Sequence, residues 1–229
     1  MKRRTFLAAA ANKRPRVAAV VTEYRWYSHA DVICGRLTGG NSRNNQWHAP
    51  RTQLVSLYAA QKPANRDMSG DMASRHGFQV YPTIREALTL GGSKLAVDAV
   101  VFVGEHGEYP FNDIGQHLYP RYELFNEVLD VYEQSGRVVP TFFDKHLSYS
   151  WEKAKNMYDR AARLKLPWQA GSSIPQTIRV PDLEFPLGAE LDRAVMIGYG
   201  PLDAYGFHTV ETLCAMVERR KGGETGIRR

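Results

Sequence analysis

Glu105, His106 and Glu108 crowd a short segment just after the apolar run Ala99 to Val103, and Asp144, Lys145 and His146 do the same after the run Val138 to Phe143. Imidazole, carboxylate and ammonium groups in such density can move protons, polarise a carbonyl or hold a divalent metal. Glu23, His29 and Asp31 follow a third apolar run, Arg16 to Thr22, and His117 lies in a Gly-Gln-His turn further on. When reactive groups repeatedly follow apolar strands, the expected arrangement is a parallel α/β sheet with its ligand site at the carboxyl edge. Glu105, His106, Lys145 and His146 are therefore predicted to face one cleft. The set Glu105, His106, His117 and His146 has the donor types of a divalent-metal site, although no closely spaced ligand pair such as His-Glu-x-x-His occurs. Lys145 and His146 are the candidate acid–base groups.

The elements that must position these groups alternate between strand and helix patterns. Arg16 to Thr22 and Gln53 to Tyr58 read as strands, and His29 to Leu37 and Ser69 to His76 as helices, the latter stopped by Gly77. Thr38 to Pro50, rich in Gly and Asn, reads as a loop, and Val80 to Pro82 as a short extended piece. Thr83 and Glu86 form a capping-box pattern that starts a helix ending before Gly91-Gly92. Tyr119 to Ser135 places Leu124, Val128, Leu129 and Tyr132 on one helical face, and Gly136 ends it. A helix is expected from about Ser150 and a strand at Trp168 to Ala170. The fold class is a Rossmann-like, doubly wound parallel α/β sheet with a short, incomplete second domain. Residues 16–171 form the sheet domain, 172–190 a connector carrying Pro175, Pro181 and Pro186, and 191–229 a partial C-terminal segment with a strand at Ala194 to Tyr199 and a helix at Gly206 to Val217.

These pieces resemble the Gfo/Idh/MocA oxidoreductases. The residues that carry the likeness are Tyr81-Pro82-Thr83-Ile84-Arg85-Glu86-Ala87-Leu88, Val97-Asp98-Ala99-Val100-Val101, Ser135-Gly136-Arg137-Val138-Val139, Asp144-Lys145-His146 and Ser150-Trp151-Glu152-Lys153-Ala154. Lys145 falls where that family keeps the lysine of its Glu-Lys-Pro motif. Gly206-Phe207-His208-Thr209-Val210-Glu211 matches in part a later Asp-x-Gly-x-His-x-x-Asp motif. The resemblance implies NAD(P) as cofactor, a sugar or polyol substrate, Lys145 orienting the reacting group and His208 moving the proton. The chain departs from the family after its first strand. Thr22-Glu23-Tyr24-Arg25-Trp26-Tyr27-Ser28-His29 replaces the glycine-rich turn, and Leu57-Tyr58-Ala59-Ala60-Gln61 lacks the acidic residue that would hold a ribose. Bulk where the backbone must approach a pyrophosphate predicts that this loop binds no dinucleotide. A non-redox lyase, isomerase or hydrolase on the same fold, metal-dependent or not, and a non-catalytic binding protein are the alternatives.

Length and composition bound the partners. The 229 residues suit one large α/β domain or one plus part of a second, and the formal charge of +6 rests largely on basic residues near the two ends. No basic helix face interleaved with aromatics is present, so a polar small molecule is expected as partner rather than nucleic acid, and an exposed second domain would pair with another copy. Arg3-Arg4-Thr5-Phe6-Leu7 before Ala8 to Ala11 resembles a twin-arginine export signal, cut short at Asn12-Lys13-Arg14. Two readings stay open: a shortened export signal, or a basic tail on a cytoplasmic protein. No segment is long enough to span a membrane, and Cys34 and Cys214 read as free thiols.

Overall fold

Residues 17–21 of the first strand are buried on both faces, and that burial explains the architecture around them. The computed structural model describes residues 14–226; the twin-arginine-like start lies outside them. In chain order the elements are β1 (Arg16–Glu23), α1 (His29–Gly39), β2 (Asn41–Arg43), β3 (Gln46–His48), β4 (Gln53–Gln61), α2 (Ser69–His76), β5 (Gln79–Val80), α3 (Ile84–Thr89), β6 (Ala99–Val103), α4 (Arg121–Ser135), β7 (Thr141–Asp144), α5 (Trp151–Arg163), β8 (Trp168–Gly171) and α6 (Phe207–Val217). Six strands form one sheet in the order β5-β4-β1-β6-β7-β8, and every pairing is parallel. By rank in the chain this is third, second, first, fourth, fifth, sixth, the doubly wound order of dinucleotide-binding folds.

Alternation along β1 divides the core into two layers. Ala18 and Val20 join Val100, Phe102, Phe143 and the inner faces of α3, α4 and α5, whereas Val17, Ala19 and Val21 join Val101, Val103 and the inner faces of α1 and α2. Each fully buried Val, Leu or Phe side chain contributes roughly 1.5–3 kcal/mol, which offsets the entropy of ordering the sheet. Beneath the carboxyl end of β7, Phe143 stacks on Phe102 at 4.5 Å and meets Phe125 edge-on at 5.1 Å. This aromatic packing holds the strand end from which Asp144 and Lys145 emerge.

Local signals set most helix boundaries. The Ser28, Thr83 and Ser150 hydroxyls accept from backbone amides in the first turns of α1, α3 and α5, while Gly77 and Gly136 close α2 and α4 in left-handed geometry. Three expectations need correction. The segment 38–50 is not all loop: β2 and β3 pair as an antiparallel hairpin around Asn44 and Asn45, both at positive φ. The strand expected from Val138 starts at Thr141, because Pro140 has no N–H for a ladder. Ala194 to Tyr199 is not a strand. Among the described residues no strand pairs with it, and Val195, Ile197 and Tyr199 are exposed despite their alternation. Among the described residues no helix is long and apolar enough to cross a membrane. Cys34 is buried, Cys214 is half-buried, and both are free.

Candidate functional site

The parallel register fixes where the reactive loops lie. Val103 pairs with Asp144, and Val21 with Val103, so β1, β6 and β7 end side by side. Glu105, His106, Lys145 and His146 thus stand at one carboxyl edge, as the sequence predicts. His106 and Lys145 both adopt left-handed backbone, at φ 71° and 80°. Non-glycine residues rarely do this, and the cost, about 1–2 kcal/mol each, is typical of positions where a side chain must point a particular way.

His29 opens α1 and reaches across to β7. Its Nδ1 lies 2.6 Å from Asp144 Oδ2, and Lys145 Nζ lies 2.8 Å from the same Nδ1. An Nδ1 that gives its proton to Asp144 has no lone pair for Lys145, so the two contacts exclude one another and the proton's position decides which is made. Asp144 and Lys145 are buried, whereas His29 is about one third exposed, 36 % by side chain. Burial works against the Asp144 carboxylate, but the hydrogen bond from His29 and the charges of Lys145, His29 and Arg121 outweigh it. The carboxyl therefore sits below its usual range.

A second cluster flanks this one. Arg121, at the first position of α4 and 2 % exposed, donates Nε to Gly104 O at 2.9 Å, Nη2 to Glu105 Oε2 at 2.6 Å and Nη1 to His146 Nε2 at 2.8 Å. On the other side Arg25 Nη2 lies 3.3 Å from His106 Nδ1, and the His106 ring stands 5.2 Å from that of His29. Burial, then the cations around each ring, press the pKa of His106 and of His146 down to about 4. The unfolded chain binds protons on these histidines near pH 6.5 that the folded chain refuses, so their stabilisation is complete above about pH 6.5 and is lost as the pH falls towards 4. Asp144 adds a loss below its unfolded value. We expect the unfolding free energy measured by urea denaturation to drop between about pH 7.5 and about pH 4.5, by on the order of 2 kcal/mol per histidine after allowing for partial exposure. His146→Asn should shrink the drop, and an unchanged slope would contradict this account.

The four residues read as a metal set do not assemble. Among the described residues no three His, Cys, Asp or Glu side chains come together to hold a metal ion. The physical reason is Arg121: its guanidinium stands between Glu105 and His146, where a cation would have to sit. His117 is turned away, its Nε2 2.9 Å from Tyr109 O and its amide donating to Asp203. His208, on α6, takes Ser172 Oγ on Nδ1 at 2.5 Å, and burial, with Lys145 and His29 nearby, lowers its pKa. A cavity of about 640 Å³ adjoins His146, Tyr149, Asp203 and Phe207, and one of about 370 Å³ adjoins Lys145, His146, Gly171 and Phe207.

The loop after β1 is occupied by its own side chains. Glu23, 1 % exposed, is held by Arg25 at 3.2 Å and by Arg66 at 2.7 Å. At the start of α1, Ser28 Oγ accepts the Asp31 amide and Asp31 Oδ2 accepts the Tyr27 amide. Tyr24 is buried, while Trp26 and Tyr27 are exposed, so the aromatic run is not one packed cluster. At the end of β4, Gln61 exchanges hydrogen bonds with the backbone of Glu108. Arg25 offsets the Glu23 charge two residues away, as the sequence suggests, whereas Arg66 and Arg121 carry no local signal because their partners lie far away in the chain.

No protein-family model matches the chain, and no curated protein does. Solved structures do. Over 70 % of its length the chain is similar to GenD2 from gentamicin A biosynthesis, a complex with NAD, at 21 % identity and a TM-score of 0.44. A Gfo/Idh/MocA family oxidoreductase from Vibrio cholerae matches over 70 % at 20 % identity and 0.44, and the transcriptional regulator Gal80p from Kluyveromyces lactis over 72 % at 12 % and 0.46. The chain spans 35 %, 39 % and 33 % of those three proteins.

Proposed function

We propose that this chain carries an acid–base site for a polar small molecule, and that its reaction is a non-redox proton transfer of the lyase or isomerase type. One observation carries the reading: His29, 36 % exposed by side chain, is oriented by the buried Asp144 at 2.6 Å, with the Lys145 ammonium 2.8 Å from the same nitrogen. A carboxylate that orients a histidine, beside a second proton-carrying group, is the pattern of an activated base with its partner acid. In this reading His29 exchanges a proton with the substrate, Asp144 stabilises the imidazolium that forms, and Lys145 donates to the substrate oxygen. His146 and His208 line the same edge as binding groups.

The second reading is an oxidoreductase on a sugar or polyol, with Lys145 and His208 at the reacting carbon. The strand order and the place of Lys145 favour it. The loop after β1 disfavours it, because residues 22–29 do not fit a dinucleotide in the position this fold uses. Tyr24, Arg25 and Trp26 bring bulk where glycine would let the backbone approach a pyrophosphate, Glu23 already holds Arg25 and Arg66, and one first-turn amide of α1, that of Asp31, is taken by Ser28. We expect NADH and NADPH fluorescence to be unchanged on titration with the protein. Saturable binding of either would restore the oxidoreductase reading.

The direct test is solvent exchange. The protein is incubated in D₂O with a panel of hydroxy acids, keto acids and polyols, and carbon-bound deuterium is followed by NMR. Exchange or conversion of at least one compound, lost in His29→Gln, supports the acid–base reading. A panel left untouched, or exchange indifferent to His29, overturns it.

A further inference from the structure

Residues 172–226 contain no fully buried side chain, although α6 and the segment beside it are rich in apolar residues. Gly188 donates its amide to Arg219 O, just past α6, and Leu191 and Met196 share a cavity of about 270 Å³ with Leu213 and Met216 of the helix. Gly198 lies where a Cβ would run into Thr209. Residues 188–198 therefore run antiparallel to α6. Met196, 41 % exposed, and Gly198 face the helix, while Val195, Ile197 and Tyr199 face solvent at 85 %, 86 % and 97 %. Among the described residues no backbone N–H or C=O from 191 to 200 is hydrogen-bonded within the chain. Exposed strand edges are ordinarily guarded by charge or proline, and residues 194–200 carry neither.

We infer that residues 194–199 form a strand on association with a second copy of this chain, pairing antiparallel with the same residues about a two-fold axis at Ile197. In that register Ile197 meets the partner's Ile197, Val195 meets the partner's Tyr199, and Met196 lies over the partner's Gly198, which has no Cβ to obstruct it. Directly opposed aromatic and β-branched side chains stabilise antiparallel neighbours. The outward positions are large when read in either direction, so the segment is its own complement, and an isologous pairing closes at two copies. Residues 194–200 expose on the order of 600 Å² of largely apolar surface, the upper end of what a monomer ordinarily leaves in one patch. Two copies can bury about 1,000 Å² in total there, the lower bound of a specific interface, which suits a micromolar dimer. The pairing needs no chemistry at the strand edge, so its failure leaves the acid–base reading untouched.

Sedimentation of the full chain from about 1 to about 200 µM should show a monomer–dimer equilibrium with a micromolar Kd. Ile197→Lys sets two ammonium groups opposite one another and should raise that Kd about tenfold or more, with the far-UV spectrum unchanged. Ile197→Val should keep it within about threefold. Cross-linking with copper phenanthroline as oxidant, in a Cys214→Ser background, fixes the register. Ile197→Cys should link to itself, because directly opposed Cα atoms stand about 4.5–5.5 Å apart. Val195→Cys should not link to itself but should link to Tyr199→Cys when the two proteins are mixed. A chain monomeric throughout that range, as expected if some other partner covers the segment, would overturn the inference. So would a dimer indifferent to Ile197→Lys, or self-linking of Val195→Cys in place of Ile197→Cys.

Discussion

Replacing Lys145 with alanine is expected to lower the exchange activity by about two orders of magnitude or more while the sheet stays folded, the scale typical of a positioned acid or base. Nζ stands 2.8 Å from His29 Nδ1 and 3.6 Å from Asp144 Oδ1, so its loss removes both the donor to substrate and a charge that biases the His29 proton. A second substitution separates chemistry from structure. Lys145 sits at φ 80°, where alanine pays the same steric cost as lysine and glycine does not. Lys145→Gly should therefore be as inactive as Lys145→Ala yet about 1 kcal/mol more stable, as read from paired melting curves and exchange assays. If Lys145 is structural instead, both variants lose stability and keep their activity per folded molecule.

The largest loss of stability is expected at Arg121. Arg121→Leu should cost about 3–5 kcal/mol, because it leaves the Glu105 carboxylate without its partner and Gly104 O without its donor in a nearly dry pocket. Adding Glu105→Gln should recover part of that loss, since the uncompensated charge is then gone. Urea denaturation of the two single variants and the double variant measures the coupling. Purely additive effects would mean that the pair at 2.6 Å contributes nothing of its own.

Much of the edge is legible in the chain because apolar strands and capping residues are local signals. Arg16–Glu23 and Ala99–Val103 lie where β-branched and apolar runs place them, Thr141–Asp144 keeps only the later part of the run from Val138, and Ser150 and Thr83 mark helix starts by their own hydroxyls. The partnerships are not legible. His29 and Asp144 stand 115 positions apart, and nothing local in either segment names the other. Arg121 looks like a surface residue in a first helical turn, and only the closed sheet shows that it is buried. That one guanidinium turns a metal-like set of histidines and a carboxylate into an arginine-centred cluster. The Asn44-Asn45 hairpin did carry a local signal, a two-residue turn able to adopt positive φ. The alternation of Ala194 to Tyr199 carried a false one, because a strand needs a partner to complete its ladder and among the described residues none pairs with this segment.

Arg66 makes the mouth of the cleft a mechanical unit. It bonds Glu23, the last residue of β1, through Nε and Nη2, and Glu108, after β6, through Nη2, while itself belonging to the segment after β4. That side chain ties three segments together, alongside the Gln61–Glu108 bonds that already join the second and third. Their amides should exchange with solvent as one cooperative block, and anything entering over β1 must lift all three together.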